Sequence, residues 1–418
     1  MANLLESYKN KLAISEGYYA KMHNGEKLSM NKKLVVAKLL ENTSKYLNEA
    51  FANSVGTQRS AMGDYKKFAL NLTTVAVPNL IAFDLVMVQP MSSITGYVNY
   101  LEYVAGSNKG ETARDTLFNS PFRIGEVDAN YTSYKVVETI AEGQTELAWG
   151  KVVPGSIEKF EGGAWVKQED TYAPQAGDKI RYEYDNEFIP QNDIPVLNAR
   201  MQSKPLIAKA RRIAIYYSQM AAFQSKNDYG VDLGDQLAEQ AVGRLSYEID
   251  TEIVNLLVEN APADSELVWS KTLPFGVSKQ EHYAGFVEIL EMAAAKIYNK
   301  TKKFSPNYML ISSDIKPILA FVPGFQAAAI KEMNGPYMAG TLNGLKVYVS
   351  PNMAPQTFVL GVNGNDMMSS AAVYAPYMPV VPTQLLGYAD GAMSQGFSTM
   401  YALEMLNADL LVAGRVTA

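Results

Sequence analysis

The apolar and polar positions fall into alternating stretches of helical and strand-like spacing. Near the start, Val36, Leu40, Thr43, Leu47 and Phe51 recur at three- and four-residue steps, with Lys32, Lys33, Lys38, Lys45 and Glu49 on the other side. This spacing predicts an amphipathic helix that lies on something. The most apolar run of the chain follows, Pro78 to Pro90. Pro78 is preset for the first turn of a helix and Pro90 cannot continue one, so Asn79 to Gln89 is expected to make about three turns. Its apolar residues, Phe83 among them, run around nearly the whole circumference, which predicts burial on every side. Asp84 is the exception, and a carboxylate buried there needs a cation or a hydrogen-bond donor.

Strand-like alternation then takes over from Gly96 to Val104. Between Tyr131 and Asn186 the texture is of short strands separated by turn residues: Lys135–Ile140, Thr145–Trp149, Gly163–Val166 and Lys179–Tyr184, punctuated by Gly162-Gly163, Pro174 and Gly177-Asp178. This reads as a small all-β insertion. Trp149 and Trp165 are expected in its core, the other reading being a platform on which a sugar stacks. Leu206 to Tyr217 reads as one long strand whose Lys209, Arg211 and Arg212 form a solvated or interface face.

Asp232 looks like an N-cap, and Leu237, Ala241, Leu245, Ile249, Ile253 and Leu256 keep helical spacing until Ala261-Pro262. A helix over 232–259 would be roughly 40 Å long, more a spine than a domain helix. Further on come a helix from His282 to Asn299, a strand at Tyr308–Ser312 and a helix starting near Ser313-Asp314. The strand Leu345–Val349 is entered by an Asn343-Gly344 turn, and Phe358–Val362 is followed by a turn at Asn363-Gly364. Met400 to Val412 reads as a returning strand. No internal repeat is visible.

Composition narrows the chemistry. With 418 residues, 48% hydrophobic, the chain is too long for one compact core, and two or three domains are expected. The formal net charge of −6, from 37 Lys and Arg against 43 Asp and Glu, supplies no excess of positive charge for phosphate backbones or anionic lipid. Cys is absent, which removes disulfides, thiolate nucleophiles and Cys-based metal sites. The two histidines, His23 and His282, lie far apart on what read as helix surfaces. Phosphate loops, His-Glu-x-x-His pairs, nucleophile elbows, dinucleotide fingerprints and calcium loops do not occur. No catalytic residue, metal site or cofactor is expected. The first twenty residues lack the apolar core of a signal peptide, and no run is long enough to span a bilayer, so the reading is of a soluble chain.

The residues themselves resemble a known family. Val77 to Asp84, followed by Val88 to Met91 and Thr95-Gly96, looks like the corresponding run in the major capsid proteins of T-even-type contractile-tailed bacteriophages. Tyr247 to Val254 is a second match. A third comprises Gly344 to Val349, Gly361, Ala372 to Tyr377, and Gly396-Phe397 to Tyr401. The resemblance implies an α+β, HK97-like phage capsid fold: an N-terminal arm (1–65), the start of a P-domain (66–95), and an E-loop (96–200) carrying the β insertion at about 131–186. A P-domain with its spine helix (201–281), an A-domain (282–385) and a strand returning to the P-domain (386–418) complete it. On this reading Pro78, Asn79, Phe83, Asp84, Gln89 and Pro90 anchor the base of the E-loop, and their function is mechanical.

The implied function is that of a major capsid subunit, not an enzyme. It assembles in the host cytoplasm into hexamers, and then into an icosahedral or prolate shell around packaged double-stranded DNA. Implied partners are further copies of the chain, vertex, portal and decoration proteins, a scaffold, and DNA bound only non-specifically; no membrane is implied. A vertex protein and an encapsulin-type shell protein share the fold and are the alternatives. Family members often lose an N-terminal segment by cleavage after Glu in Leu/Ile-x-Glu, a pattern met here at Glu6, Glu16 and Glu41. The same pattern recurs at Glu239, Glu259 and Glu291, in segments expected to be folded.

Overall fold

A computed structural model describes residues 2–22, 25–52, 69–74, 80–144, 147, 151–185, 194–230, 232–328, 335–364, 366, 369–383 and 385–417. The chain forms two compact units, Met1–Tyr97 with Pro205–Ala418, and Val98–Lys204. The class is α+β, as the sequence leads one to expect.

The larger unit contains two sheets. One is five-stranded, in the order Met87–Val88, Ala372–Pro382, Ala392–Met405, Leu386–Gly387, with Lys209–Ser218 also pairing along Ala392–Met405. Ala372–Pro382 is buried along nearly its whole length, which fits a strand covered on both faces. The arm helix Met30–Ala52 and the spine helix Leu233–Asn260 both pack against it. Val36, Leu40 and Leu47 are the buried side of the arm helix, and Ala238, Ala241, Leu245, Ile249, Ile253 and Leu257 that of the spine helix. Asp232 caps the spine helix by accepting a hydrogen bond from the Gly234 N–H at 3.0 Å, and Pro262 follows its last turn. Register shifts interrupt the pairing of Ala372–Pro382 around Pro376 and Met378, where proline has no N–H to give to the ladder.

The second sheet has seven strands in the order Ala263–Ser270, Leu411–Thr417, Thr357–Gly361, Tyr308–Ser312, Leu345–Ser350, Tyr337–Leu342, Phe325–Ala327. Helix Phe286–Thr301 lies on it through Phe286, Leu290, Ala293 and Ile297. Asn343 and Gly344, at φ 48° and 86°, form the two-residue turn that joins Leu342 to its partner Leu345. His282 stacks on Trp269 with ring centroids 4.9 Å apart, and its Nε2 lies 2.8 Å from the Ser270 carbonyl oxygen. His23 lies outside the described residues.

Several expectations need correction. Leu206–Tyr217 is not one strand: Leu197–Ile207 and Lys209–Ser218 meet at a buried Ala208 and join different sheets. Of its basic cluster, Arg211 is tied inward, 2.6 Å from Glu252 of the spine helix and over the Tyr401 ring. The helix expected over His282–Asn299 is two, Lys279–Ala284 and Phe286–Thr301, because Ser278 and Glu281 form a capping box that starts a helix earlier. The helix expected near Ser313-Asp314 is only Lys316–Leu319. The returning strand over Met400–Val412 is interrupted at Ala408–Leu410, so Ala392–Met405 and Leu411–Thr417 go to different sheets. Sheet pairing therefore crosses the expected borders 282–385 and 386–418. The chain does reverse after Asn363, through a loop closed by the antiparallel Asn363–Ser370 bridge.

The smaller unit carries a three-stranded sheet, Leu117–Asn119, Thr95–Ala105, Leu197–Ile207, and a four-stranded one, Lys135–Thr139, Lys179–Glu183, Glu158–Glu161, Ala164–Lys167. The four-stranded module has its own core of Val136, Ile140, Ile157, Ile180, Tyr182 and Tyr184. Lys109 is buried against it, its Nζ donating to the carbonyls of Asn130, Tyr131 and Ser133 and to the Tyr184 hydroxyl. Strand Glu158–Glu161 was not expected, and of the expected strand Thr145–Trp149 only Leu147 is described, Trp149 lying outside. Trp165 is not in the module's core. It lies half-buried on the other face, beside Phe160 and under the Arg181 guanidinium, because its cross-strand partner Phe160 points away from Ile180.

Candidate functional site: the anchor at the base of the hairpin

The run ending at Pro90 is buried as expected, but it is not a three-turn helix. Ala82–Leu85 makes a single helical turn, after which Met87–Val88 joins the five-stranded sheet parallel to Val373 and Tyr374. Gln89 and Met91 continue this pairing, donating their N–H groups to the carbonyls of Tyr374 and Pro376 at 3.0 Å each. Pro90 sits between them, where an edge strand needs no donor. The available sheet edge satisfies these backbone groups better than a helix stopped by Pro90 would. Four residues later the chain enters the long strand Thr95–Ala105. Pro78 and Asn79 lie outside the described residues.

Polar side chains from distant parts of the chain hold this turn. Asp250 of the spine helix accepts the Ile81 N–H at 3.0 Å, directly below the turn Ala82–Leu85. Burial pushes the Asp250 carboxyl well above its ordinary value, and the hydrogen bond from the Ile81 N–H opposes that shift. On the opposite flank, Lys32 of the arm helix lies 3.2 Å from Asp84 Oδ1, and its Nζ also donates to the Tyr19 hydroxyl at 2.7 Å. The Asp84 side chain is only 2% exposed. Burial first, then the charge of Asp84, raises the phenols of Tyr19 and Tyr348 above their usual values. Lys32 Nζ stands 5.8 Å from the centroid of the buried Phe83 ring. Asn363 donates through Nδ2 to the Asp84 carbonyl at 2.9 Å and is held in turn by Ser370 and Asn307. Asn42 of the arm helix donates to the carbonyls of Met91 and Tyr377 at 2.8 and 3.0 Å.

These partners correct one sequence reading. Lys32 is expected on the side of the arm helix opposite the apolar stripe, yet its Nζ stands 4.8 Å from the Tyr19 ring centroid and 5.8 Å from that of Phe83 and meets Asp84. Asp250, Asn363 and Asn42 carried no local signal, because each acts on a segment far away in sequence. Only the odd polar residue in an apolar stripe, Asp250 between Ile249 and Ile253, hints at the role.

Asp250 yields a pH-dependent prediction. Its folded-state pKa is raised, so its favourable contribution is complete below the unfolded value of about 4 and is lost as pH rises toward the folded value. Asp250→Asn keeps an oxygen for the Ile81 N–H and removes the titration. Its melting temperature is expected to equal or exceed that of the parent at pH 8, with the gap closing at pH 4. Asp250→Ala should be about 1–3 kcal/mol less stable, since the Ile81 N–H is then left unpaired.

The turn is thus held from both flanks a few residues before the strand Thr95–Ala105, and Leu101, Leu197 and Met201 are exposed on the strands that follow. A model of the family described as major capsid protein Gp23 matches residues 62–415, and the chain belongs to that family. Similar relatives are the major capsid protein of Vibrio phage KVP40, 23% identical over 88% of this chain and 83% of that one, and that of Enterobacteria phage T4, 22% identical over 90% and 87%. Among solved structures, the chain is similar to the capsid of Myoviridae phage XM1, at 6% identity and a TM-score of 0.43, over 81% of this chain and 92% of that one. The subunit is thus a phage head-shell protein that assembles with itself and resides in the virion; its family is structural, not enzymatic. Among the described residues, no helix is long and apolar enough to cross a membrane.

Proposed function

We propose that the paired strands Thr95–Ala105 and Leu197–Ile207 are the E-loop that reaches across a neighbouring subunit, and that the chain tiles as hexamers. The observation that carries this reading is exposure along the pair: Tyr97 is 70% exposed, Leu101 49%, Leu197 51% and Met201 67%. Apolar side chains at that density on a two-stranded ribbon need a surface to cover them. The spine helix with the five-stranded sheet serves as the P-domain and the seven-stranded sheet as the A-domain. Vertex, portal, decoration and scaffold proteins are the heterologous partners, and packaged DNA meets a wall that is not strongly basic and does not bind it tightly. Shells reassembled from a mixture of light and heavy-nitrogen subunits test the reading by cross-linking. Links from Lys204 should appear as light–heavy pairs, and links confined to one isotope would contradict it.

The arm bears on processing in the same way. Glu6 is exposed in a short terminal helix, whereas Glu16 pairs with Lys33 and Glu41 with Lys38 and Lys45 inside helices. Leu40 is fully buried just before Glu41, and Asn42 just after it is clamped to Met91 and Tyr377. Cleavage after Glu16 or Glu41 requires the arm to unwind first. The intact mass of shell protein is expected to correspond to a chain starting at Met1, Ala2 or Ser7. A start at Gly17 or Asn42 would show that the arm opens during assembly.

A further inference from the structure

We infer that Lys32 of the arm is the counter-ion of the anchor, so that docking of the arm and order at the base of the paired strands are one coupled equilibrium. Asp84 sits in a turn whose residues Leu80 to Val86 are all buried, and its side chain is nearly closed off from solvent. A carboxylate in such surroundings stays ionised only beside a cation or several donors. The cation comes from elsewhere in the chain: Lys32 stands at the start of Met30–Ala52, and the Tyr19 hydroxyl from the preceding arm helix Lys9–Met22 reaches Asp84 Oδ1 at 3.4 Å.

Glu26 and Lys346, also near this cluster, pair with one another at 3.4 Å, and Glu16 and Lys33 pair at 3.0 Å between the two arm helices. In this pair the Asp84 side chain is 2% exposed and that of Lys32 23%. Moving the arm away removes both the Lys32 cation and the Tyr19 hydroxyl from Asp84 Oδ1, which changes the balance that holds the turn. By linkage the reverse also holds: opening the turn releases Lys32 and weakens the hold of the arm. The arm's second clamp, Asn42 on the Met91 carbonyl, acts on the same segment just before the strands begin. A displacement of the arm is thereby transmitted to the segment that leads into the strand Thr95–Ala105.

Hydrogen exchange on the full chain tests the coupling with Lys32→Met, Asp84→Asn and the double variant. Lys32→Met is expected to speed exchange by about tenfold or more in both 30–48 and 80–91, while Tyr308–Ser312 exchanges as in the parent. Lys32→Arg should behave as the parent. The double variant, with neither charge, should return both segments to within about threefold of the parent, as a pairwise coupling requires. Faster exchange in 30–48 alone, or a double variant no better than Lys32→Met, overturns the inference. If Lys32→Met does not fold, recovery of folded chain in the double variant supports the coupling, and failure to recover refutes it.

Discussion

Gly361→Ala is expected to destabilise the subunit by about 3 kcal/mol, among the largest effects any single methyl group can have here. Gly361 ends the strand Thr357–Gly361 and lies opposite Tyr308 of the central strand. A Cβ at this position would stand 2.3 Å from the Tyr308 ring and hydroxyl and 2.8 Å from a Leu411 methyl. Tyr308 is 1% exposed and Leu411 likewise, so neither has anywhere to move. Gly243 is the control of opposite sign. It lies on the exposed side of the spine helix with nothing within 4 Å of an added Cβ, and Gly243→Ala should stabilise by about 0.5–1 kcal/mol. Urea unfolding of the two variants separates these outcomes. Equal midpoints would mean that the seven-stranded sheet is packed differently from the arrangement described.

Replacing 99–203 by a short Gly-Ser linker is expected to leave a folded subunit that forms no shell. Thr95–Ala105 and Leu197–Ile207 are neighbours in one sheet, so their cut ends lie about 5 Å apart and a few residues close the gap. The two sheets of the larger unit draw no strand from the excised region, apart from the chain's own crossings at its ends. Loss of the exposed Leu101, Leu197 and Met201 removes the apolar ribbon proposed to lie on the neighbour. Circular dichroism and sedimentation velocity read the two halves of this prediction. A folded variant that still forms closed shells would place the lattice contacts elsewhere.

How much was legible in the sequence follows from the range over which each signal acts. Helix periodicity and a local cap determine the spine helix, and both were readable to within a residue at Asp232. Binary alternation located the strand Thr95–Ala105, and the Asn343-Gly344 turn located Leu345–Ser350, for the same reason. Pro78 to Pro90 was misread because its apolar residues satisfy a helix and a buried edge strand equally, and the deciding groups are the carbonyls of Tyr374 and Pro376, almost three hundred residues away. Lys32 was misplaced because helical spacing says which side of a helix a residue occupies but not how far a lysine stem can reach around it. The burial of this segment was thus legible, while the side chains that hold it became visible only when the fold brought Asp250, Lys32 and Asn363 to it.

The most direct test of the account is electron microscopy of the purified chain under assembly conditions, carried to a resolution that traces the paired strands. The account predicts a closed or sheet-like lattice in which the strands Thr95–Ala105 and Leu197–Ile207 of each subunit lie on an adjacent one, with the turn Ala82–Leu85 still clamped between Asp250 and Lys32. A lattice in which those strands fold back on their own subunit, or a chain that stays monomeric in every condition, would contradict it.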